Sequence, residues 1–281
     1  MIVFLNGKFV PQSRATVSVF DRGFLYGDGL FETMRVVGGN PFRWREHWAR
    51  LSAGAKFLKI RLPYNQAVAL RHVIALIRKN KMPDSILRLS VSRGIGVRGY
   101  SPKGATRPTL VMTLHEAPKI AGQLVQWKLV TSSFRLPAGE RLARYKTANK
   151  LPQVLARAEA DAAGANEALL LNTDGFVVEG ASSNLFWIEG RTVCTPPVAG
   201  GILSGVTREV VREICGRLKI SFREKNIRPK DLKRAGGVFL TLSTLGVVEA
   251  VSLDRTRLKR SPFIRQIGAA YNEMLVSKLE T

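Results

Sequence analysis

The sequence predicts an α+β fold arranged as two domains. The chain has 281 residues, which is enough for two ordinary domains with buried cores. Helical and strand-like patterns alternate in the first third of the chain, whereas short strand-like segments dominate the rest. A polar stretch with proline and glycine at 115–122 separates the two regions. We therefore predict a first domain at 1–117, a linker at 118–123 and a second domain at 124–281.

The first domain begins with apolar residues around an Asn6-Gly7 pair, which is a common turn of a β-hairpin. Apolar residues recur at helical spacing in two later segments, as do Val73, Ile74 and Ile77 in the second of them. Between 86 and 93 apolar and polar residues alternate, a pattern typical of a half-buried strand. The predicted elements are strands at 4–10, 16–20, 86–93 and 109–114, and helices at 44–58 and 66–79.

The second domain is predicted from short apolar runs that are joined by turn sequences. Asn172-Thr173-Asp174-Gly175 and Glu189-Gly190 are typical hairpin connections. The predicted strands lie at 124–133, 167–171, 176–179, 184–188, 192–195 and 237–242, and the predicted helices at 152–163, 207–218 and 262–278.

The composition argues against several classes of protein. Cys194 and Cys215 are far apart and have no metal-ligand companions, so neither a disulfide framework nor a zinc site is expected. No apolar run approaches the length of a membrane span, and the first residues are too short for a secretory signal, so we expect a cytoplasmic protein. The sequence contains no Walker-type phosphate loop and no Gly-x-Ser-x-Gly motif, which argues against NTPases and many hydrolases.

The formal net charge of +23 is the unusual feature of the composition. A basic surface attracts phosphates, nucleic acid and anionic metabolites. The basic residues are spread along the chain without a dense tract, and no zinc finger, aromatic RNA-binding motif or basic helix stands out. The sequence therefore does not favour specific nucleic-acid binding, and solubility or a generally basic proteome would explain the charge more simply.

Three segments could together carry chemistry. Lys146 precedes a predicted helix, and 33 residues later Glu179 closes a valine-rich strand and is followed by small residues. Gly205-Val206-Thr207 opens a helix, where backbone N–H groups and the positive end of the helix dipole can hold a phosphate. Taken singly, each has a simpler interpretation: a solvated lysine, a glutamate in an edge-strand turn and an ordinary helix cap.

Together with two N-terminal motifs, these segments resemble a known family. One motif covers 20–33 and includes Phe31-Glu32-Thr33, and the other covers 45–51 and includes Arg50. The five motifs in this order are similar to class IV (fold type IV) pyridoxal-phosphate enzymes. That family includes branched-chain and D-amino-acid aminotransferases, R-selective amine transaminases and aminodeoxychorismate lyases. The resemblance extends from Phe4 to about Ala250.

The resemblance implies a fold, a cofactor and an assembly. The fold would be a small two-layer α/β N-terminal domain and a larger, strand-rich pseudo-barrel C-terminal domain. Pyridoxal 5'-phosphate would bind in the crevice between the two domains, where pockets tend to form. The chain would form a homodimer in which a loop of the partner's small domain closes the site.

The resemblance also implies roles for individual residues. Lys146 matches the catalytic lysine that forms a Schiff base with the cofactor and moves a proton during the reaction. Glu179 matches the carboxylate that pairs with the pyridine nitrogen and favours its protonated form. Ser182 falls beside the cofactor ring. The residues that match the phosphate site are Arg50, Val206, Thr207 and Ser243.

The substrate site is predicted from the segment 92–101, which resembles the corresponding stretch of aminodeoxychorismate lyases. In D-amino-acid aminotransferases an arginine at the position of Arg98 binds the substrate carboxylate, which suits a bidentate guanidinium. We therefore expect Arg98, Phe31 and Tyr100 to contact the substrate. The alternative for Arg98 is an ordinary surface arginine in a very basic chain.

Four positions depart from the patterns of individual subgroups. Branched-chain aminotransferases have tyrosine where this chain has Leu151, and a Gly-Thr-Ala type turn where it has Leu242-Ser243-Thr244. Lyases commonly have threonine where this chain has Glu32, so that Glu32-Thr33 is more similar to a transaminase. Glu249 replaces a proline that is usual near the end of the family pattern.

The leading hypothesis is a transaminase that moves an amino group from an amino acid or amine to a 2-oxo acid such as pyruvate or 2-oxoglutarate. The alternative on the same fold is a lyase that forms 4-aminobenzoate and pyruvate from aminodeoxychorismate. A third hypothesis, a non-catalytic protein that binds anions or nucleic acid, is supported by the net charge alone.

Overall fold

A computed structural model describes residues 1–119 and 123–277. The chain divides into two compact units, unit 1 with Met1–Pro118 and Tyr145–Asn149, and unit 2 with Lys119–Arg144 and Lys150–Thr281. Within the predicted linker at 118–123, residues 120–122 lie outside the described residues, as does the predicted helix end at 278. The sequence placed residues 145–149 in the second domain, whereas their backbone hydrogen bonds assign them to unit 1.

Unit 1 contains one antiparallel sheet of six strands in the spatial order β2-β1-β6-β5-β3-β4. Its strands are β1 (Ile2–Leu5), β2 (Lys8–Pro11), β3 (Gly29–Val37), β4 (Asn40–Pro41), β5 (Ser85–Ser92) and β6 (Thr109–Glu116). Its helices are α1 (Arg22–Tyr26), α2 (Trp44–Leu58) and α3 (Gln66–Asn80).

The two faces of this sheet differ in polarity, because side chains alternate along each strand. One face carries Leu30 and Met34 of β3 and Leu87 and Leu89 of β5, which are buried under the apolar sides of α2 and α3. The opposite face of the central strands carries Phe31, Thr33, Arg88 and Ser90, most of them half-buried. A sheet covered by helices on one face is the two-layer α/β architecture that was predicted, and it leaves the polar face for function.

The described residues of unit 2 form a nine-stranded sheet and four α-helices. Its strands are β7 (Val125–Leu136), β8 (Glu167–Asn172), β9 (Val177–Gly180), β10 (Asn184–Glu189), β11 (Thr192–Thr195), β12 (Ser221–Glu224), β13 (Val238–Leu242), β14 (Gly246–Leu253) and β15 (Thr256–Arg257). Its helices are α4 (Leu151–Ala162), α5 (Val206–Arg217), α6 (Pro229–Leu232) and α7 (Pro262–Val276).

Six of these strands close on themselves. β9 pairs with β8 on one side and with β10 on the other, so the ring runs β10-β13-β14-β7-β8-β9. The closing pair joins Glu179 of β9 to Asn184 of β10. Buried Leu185, Trp187 and Leu240 contribute to the apolar core that supports the ring. The predicted pseudo-barrel is thereby confirmed, and its point of closure lies at a predicted site residue.

Two predicted strands differ from the structure. The strand predicted at 4–10 is two strands, β1 and β2, on either side of the Asn6-Gly7 turn. Residues 16–20 form no strand, and Val17, Val19 and Phe20 are exposed. β-branched and aromatic residues favour strands only when a partner strand and a packed face are available, and no strand of the described chain pairs with this segment. Its side chains instead form part of an exposed apolar surface of unit 1.

Candidate active site

Lys146 is held against the beginning of β3. The Phe31 N–H donates a hydrogen bond to the Lys146 carbonyl (2.9 Å), and the Ala148 N–H donates one to the Gly29 carbonyl (2.8 Å). An antiparallel bridge between Leu30 and Thr147 lies between these two bonds. The segment therefore behaves as a short additional strand. These bonds fix the backbone of Lys146 relative to β3.

The Phe31 ring carries two cationic side chains. The Lys146 Nζ lies 4.6 Å from the ring centroid, and the Arg88 Cζ lies 3.5 Å from it. The Arg88 Nε donates to the Ser90 hydroxyl at 3.3 Å. No carboxylate lies within ion-pair distance of Arg88 in the described part of the chain. Unit 1 thus brings an amine and an arginine without a carboxylate partner to the same aromatic ring.

Burial lowers the pKa of Arg88, and the charge of nearby Glu32 acts in the opposite direction. An arginine nevertheless stays protonated at neutral pH. A half-buried guanidinium stacked on an aromatic ring is favourable for an incoming carboxylate, because two parallel hydrogen bonds can form there. Arg88 lies in none of the five motifs and was not predicted as a site residue. Its only signal was its place on the polar face of an alternating strand, and the neighbouring Lys146 became apparent only in the fold.

Behind Phe31, on the helix side of the sheet, Glu32 joins α2. The Arg50 Nε and Nη2 donate to the two Glu32 oxygens at 2.8 and 2.7 Å, and His47 Nδ1 lies 2.7 Å from Glu32 Oε2. Burial alone would raise the pKa of Glu32, but the charge of Arg50 and hydrogen bonds from Arg50 and His47 lower it to about 2. Burial lowers the pKa of His47, so a neutral ring donates its Nδ1–H to the carboxylate.

This triad bears on the predicted phosphate contact of Arg50. Two nitrogens of its guanidinium are already used by Glu32, and the position of Arg50 is fixed by that bidentate pair. A phosphate contact would have to use the remaining part of the guanidinium. Neither Glu32 nor His47 was assigned a role from sequence, because an ion pair between β3 and α2 is visible only when the helix is packed on the strand.

In unit 2, Asn184 of β10 pairs or forms hydrogen bonds with three other segments at the point where the barrel closes. It is the register partner of Glu179 in β9 and of Thr241 in β13. The Asn184 Nδ2 donates to the Leu203 carbonyl (3.0 Å), and the Leu203 N–H donates to Glu179 Oε2 (3.1 Å). The loop that leads into α5 is therefore tied both to the predicted cofactor carboxylate and to the end of β13.

The beginning of α5 has the features of an anion site. Gly205 is the N-cap, no side chain caps this helix, and Val206 and Thr207 are buried. The Thr241 Oγ1 is buried and has no hydrogen-bond partner within the described residues. Ser243 lies in the turn between β13 and β14 and is half-buried. Backbone N–H groups at a helix start, together with hydroxyl groups, suit a phosphate.

Gly205 is required by a close approach of the backbone to Asn184. A Cβ atom at position 205 would overlap the Asn184 Oδ1, far inside van der Waals contact. The glycine therefore lets the start of α5 come within reach of the β10 strand. The helix start was predicted as a phosphate site from the sequence. Asn184 was not predicted, because its importance depends on strand register.

A second lysine lies close to Glu179. Lys150 precedes α4, and burial lowers its pKa although the charge of Glu179 acts in the opposite direction. Lys150 was not predicted as a site residue, because Lys146 is the lysine that matches the family motif. Lys150 belongs to unit 2, whereas Lys146 belongs to unit 1.

Three further residues were predicted to lie beside the cofactor or to contact the substrate: Ser182, Arg98 and Tyr100. The Ser182 hydroxyl and N–H both donate to Glu167 Oε2, at 2.7 and 3.1 Å, so this serine is directed to a buried carboxylate of unit 2. Arg98 and Tyr100 are exposed on the loop that follows β5 in unit 1. The Tyr100 carbonyl accepts a hydrogen bond from Arg22 (3.0 Å), which fixes the loop backbone but not the two side chains.

The described residues contain no group of three or more histidine, cysteine or acidic side chains that could hold a metal ion. Among the helices of residues 1–119 and 123–277, none has the length and apolar character needed to cross a bilayer. Each unit thus carries its own set of candidate residues: Lys146, Arg88 and the Glu32 triad in unit 1, and Glu179 with the α5 start in unit 2.

The comparison with known families decides the classification. The family of class IV amino-transferases matches residues 29–253, which cover most of both units. This chain belongs to the class IV aminotransferases. The expected family and its transaminase chemistry are thereby confirmed.

Curated class IV relatives include both activities that the sequence suggested. The chain is 37% identical over 254 residues to a Methanocaldococcus jannaschii protein provisionally named branched-chain-amino-acid aminotransferase, covering 90% of this chain and 88% of that one. It is 31% identical to the D-alanine aminotransferase of Bacillus licheniformis, covering 99% and 98%. It is 29% identical to the aminodeoxychorismate lyase of Bacillus subtilis, covering 90% and 87%.

Solved class IV structures confirm the fold. The branched-chain aminotransferase from Thermoproteus uzoniensis with norvaline superposes with a TM-score of 0.91 at 27% identity, over 99% of this chain and 95% of that one. The T.th. branched-chain amino acid aminotransferase with pyridoxamine 5'-phosphate superposes with a TM-score of 0.90 at 27% identity, over 97% and 93%.

Proposed function

We propose that this class IV aminotransferase uses pyridoxal 5'-phosphate, bound through Lys146, to move an amino group between an amino acid and a 2-oxo acid. The observation that carries the proposal is the pairing of Lys146 and Arg88 on the Phe31 ring. An amine that holds the cofactor and an arginine that holds a carboxylate are the two groups that amino-acid transamination needs close together.

The residues of unit 2 suit the cofactor. A carboxylate at Glu179 would pair with the protonated pyridine nitrogen, and its orientation is fixed by the Leu203 N–H. The uncapped start of α5 and the buried, unsatisfied Thr241 hydroxyl would serve the phosphate, with Ser243 nearby in the chain. When bound, pyridoxal phosphate supplies an electron-withdrawing ring that stabilises negative charge at the substrate Cα.

The residues of unit 1 would orient the substrate and move the proton. The Arg88 guanidinium would bind the α-carboxylate in a bidentate manner, and the Phe31 ring would pack against the substrate. The Lys146 amine would take the proton from the substrate Cα and deliver it to the C4' carbon of the cofactor. Glu32, itself hydrogen-bonded to His47, would keep the Arg50 guanidinium in place.

The role of Lys146 is tested by Lys146→Ala, with Lys150→Ala as the matched control. We expect Lys146→Ala to lower turnover by about a thousandfold or more, since the proton-transfer group is lost. We also expect borohydride to attach the cofactor covalently to wild type and to Lys150→Ala, but not to Lys146→Ala, as measured by peptide mass. Full activity in Lys146→Ala would defeat the proposal, and so would a cofactor attached at position 150.

A half-reaction distinguishes transaminase from lyase. An enzyme given an amino donor and no 2-oxo acid should convert its cofactor from the aldehyde form to the amine form, with a change in visible absorption. A lyase would keep the aldehyde form and release pyruvate only from aminodeoxychorismate. A panel with D-alanine, branched-chain amino acids, R-1-phenylethylamine and aminodeoxychorismate would then identify the donor.

We further propose a homodimer that buries an apolar surface of unit 1. The segments 17–25 and 95–100 are joined by a bridge between Asp21 and Ile95 and by hydrogen bonds from Arg22. Exposed apolar patches of this kind mark protein interfaces. The exposed large hydrophobic residues of these segments are Val17, Val19, Phe20, Phe24, Leu25, Ile95, Val97 and Tyr100.

The dimer is tested by Phe24→Asp, because Phe24 is 73% exposed in the single chain. A charge buried in an apolar interface is costly, so we expect the variant to sediment as a monomer at concentrations where wild type is a dimer. Leu218→Asp, an exposed position of unit 2, is the control and should sediment like wild type. A wild-type monomer at micromolar concentration would contradict the proposal.

The two cysteines are the basis for a proposal about the cellular compartment. Cys194 and Cys215 are free, buried thiols, which suits a reducing compartment. We propose the cytoplasm, and cell fractionation with a tagged chain would test this.

A further inference from the structure

The acidic residues of unit 1 are few, and half of them are buried or paired with arginine. Unit 1 holds 20 of the 44 lysines and arginines but only six of the 21 aspartates and glutamates. Asp21 is buried, Asp28 pairs with Arg22 and Arg93, and Glu32 pairs with Arg50. Most of the excess positive charge of unit 1 therefore lies on its surface.

This charge is concentrated on the outer side of the helical layer. Between Glu46 and Asp84 the chain has no acidic residue, and this interval contains most of α2 and all of α3. Seven cations in it are exposed, and none has an ion-pair partner among the described residues. We name them the basic helix face: Lys56, Lys59, Arg61, Arg71, Arg78, Lys79 and Lys81.

Both helices cover the same face of the sheet, and four of the seven residues lie on them: Lys56, Arg71, Arg78 and Lys79. Lys59 and Lys81 directly follow the two helices, and Arg61 lies in the segment that connects them. The buried sides of α2 and α3 carry Leu51, Ala55, Val73 and Leu76, which belong to a single apolar core with the strands. Their exposed side chains must therefore point away from that sheet. With 15 residues each, the helices are about 22 Å long. Cations at helix ends also complement the helix dipole, but this does not explain Arg61, Arg71 or the absence of acidic neighbours.

We propose that the basic helix face binds the phosphate backbone of a nucleic-acid duplex without reading its sequence. A duplex carries about one negative charge per 1.7 Å of its axis, so a face of this length meets many phosphates. The surface has no aromatic platform for unstacked bases, since Phe57, the one large hydrophobic exposed between 44 and 83 in the described chain, stacks on Tyr145. It likewise lacks the apolar side chains that insert into a lipid surface.

The basic helix face could not be recognised from the sequence. The seven cations are separated along the chain and form no tract. The packing of α2 and α3 on one sheet places them on one surface, with no acidic residue between them in sequence. Binding of this type depends on phosphate contacts alone and is therefore steeply dependent on salt.

The experiment compares two triple variants of the cofactor-loaded enzyme with equal loss of charge. Lys56→Gln, Arg71→Gln and Arg78→Gln are combined in the first, and the exposed unit 2 residues Arg217→Gln, Arg223→Gln and Arg265→Gln in the second. Fluorescence anisotropy with a labelled 20-base-pair DNA duplex gives the dependence of affinity on salt. The transamination half-reaction should be unchanged in both variants, which confirms that they are folded.

We expect the first variant to bind the duplex about tenfold or more weakly at 0.1 M salt, with a salt slope reduced by about 0.9 for each phosphate that is no longer neutralised. The second should bind as wild type does, and Arg71→Gln alone should show the reduction expected for one phosphate. Equal weakening in both triple variants would overturn the proposal. So would tighter binding to a single strand of the same length or to vesicles of anionic phospholipid.

Discussion

Arg88 has a position that its residue type alone does not explain. It is half-buried and stacked on Phe31 beside Lys146, and the described residues provide no carboxylate to pair with it. Keeping an arginine in such surroundings is costly unless an anion arrives. An amino-acid substrate would provide that anion, whereas a simple amine would not.

We therefore predict that Arg88→Gln raises the KM for an amino-acid donor by about tenfold to a hundredfold, the effect expected from removing a charge-assisted hydrogen bond. kcat should change less, because Lys146 stays in place. Arg14→Gln, at an exposed position of the same unit, should leave both constants as in wild type. Steady-state kinetics would measure them, and an unchanged KM in Arg88→Gln would remove this residue from the substrate site.

His47 makes the stability of the folded protein dependent on pH. Its folded pKa is lowered below the ordinary value of 6.5, chiefly by burial. The unfolded chain therefore takes up a proton first as pH falls, and the folded state loses stability below about pH 6.5. One such group changes the free energy of unfolding by at most about 1.4 kcal/mol per pH unit.

We predict that His47→Gln flattens the decline in the free energy of unfolding between about pH 6.5 and 5.5, measured by urea denaturation at several pH values. A smaller decline should remain, because the pKa of His72 is also lowered by burial and by Arg71. His115→Gln, on the exposed end of β6, is the control and should decline like wild type. A His47→Gln profile as steep as the control would contradict the neutral, buried imidazole.

Candidate site residues could be chosen from the sequence only where a motif carried them. Lys146 and Glu179 stood out because family-like neighbours surround each of them. Arg88 and Asn184 did not, since their importance comes from register with other strands. An alternating strand identifies a polar face, but it cannot say which side chain of another segment will meet that face.

At the scale of elements, the start of α5 depends on Gly205. Asn184 is held by its hydrogen bond to the Leu203 carbonyl, so its amide cannot easily move away from a new methyl group. We predict that Gly205→Ala destabilises the protein by about 1–3 kcal/mol and weakens cofactor binding, since the helix start must shift. Thermal unfolding and a cofactor titration would measure the two effects.

The matched control lies in the same helix. A Cβ atom at Gly216 would meet nothing within 4 Å. Gly216→Ala should therefore stabilise the protein, by up to about 1 kcal/mol, because alanine is the better helix former. If the two variants had similar stability, the close approach of Gly205 to Asn184 would not be the reason for the glycine.

Helices were more predictable than strands for a physical reason. The apolar spacing of α2 gave its bounds, Trp44–Leu58, because one side packs on the core and the other is solvated. β3 was missed because this central strand is buried on both faces, so its residues do not alternate in polarity. The segment 16–20 had the composition of a strand but no partner, which composition cannot indicate.

At the scale of the whole molecule, the sequence indicated two regions but not the path of the chain between them. Linker composition marked 115–122, and the compact units divide after Pro118. Nothing in the composition of 145–149 indicates that five residues return to unit 1, because the reason is their hydrogen bonding to β3. The resemblance likewise could not explain the +23 charge, for which the surface of unit 1 suggests a separate use.

The return of residues 145–149 has a consequence for biosynthesis. A ribosome that has released only the first 118 residues has not yet made the backbone that pairs with Gly29 and Phe31. Unit 1 is finished only after the nascent chain has passed through the beginning of unit 2. The amine proposed to hold the cofactor is thus among the last parts of unit 1 to be translated, and a fragment that ends at Pro118 would lack it altogether.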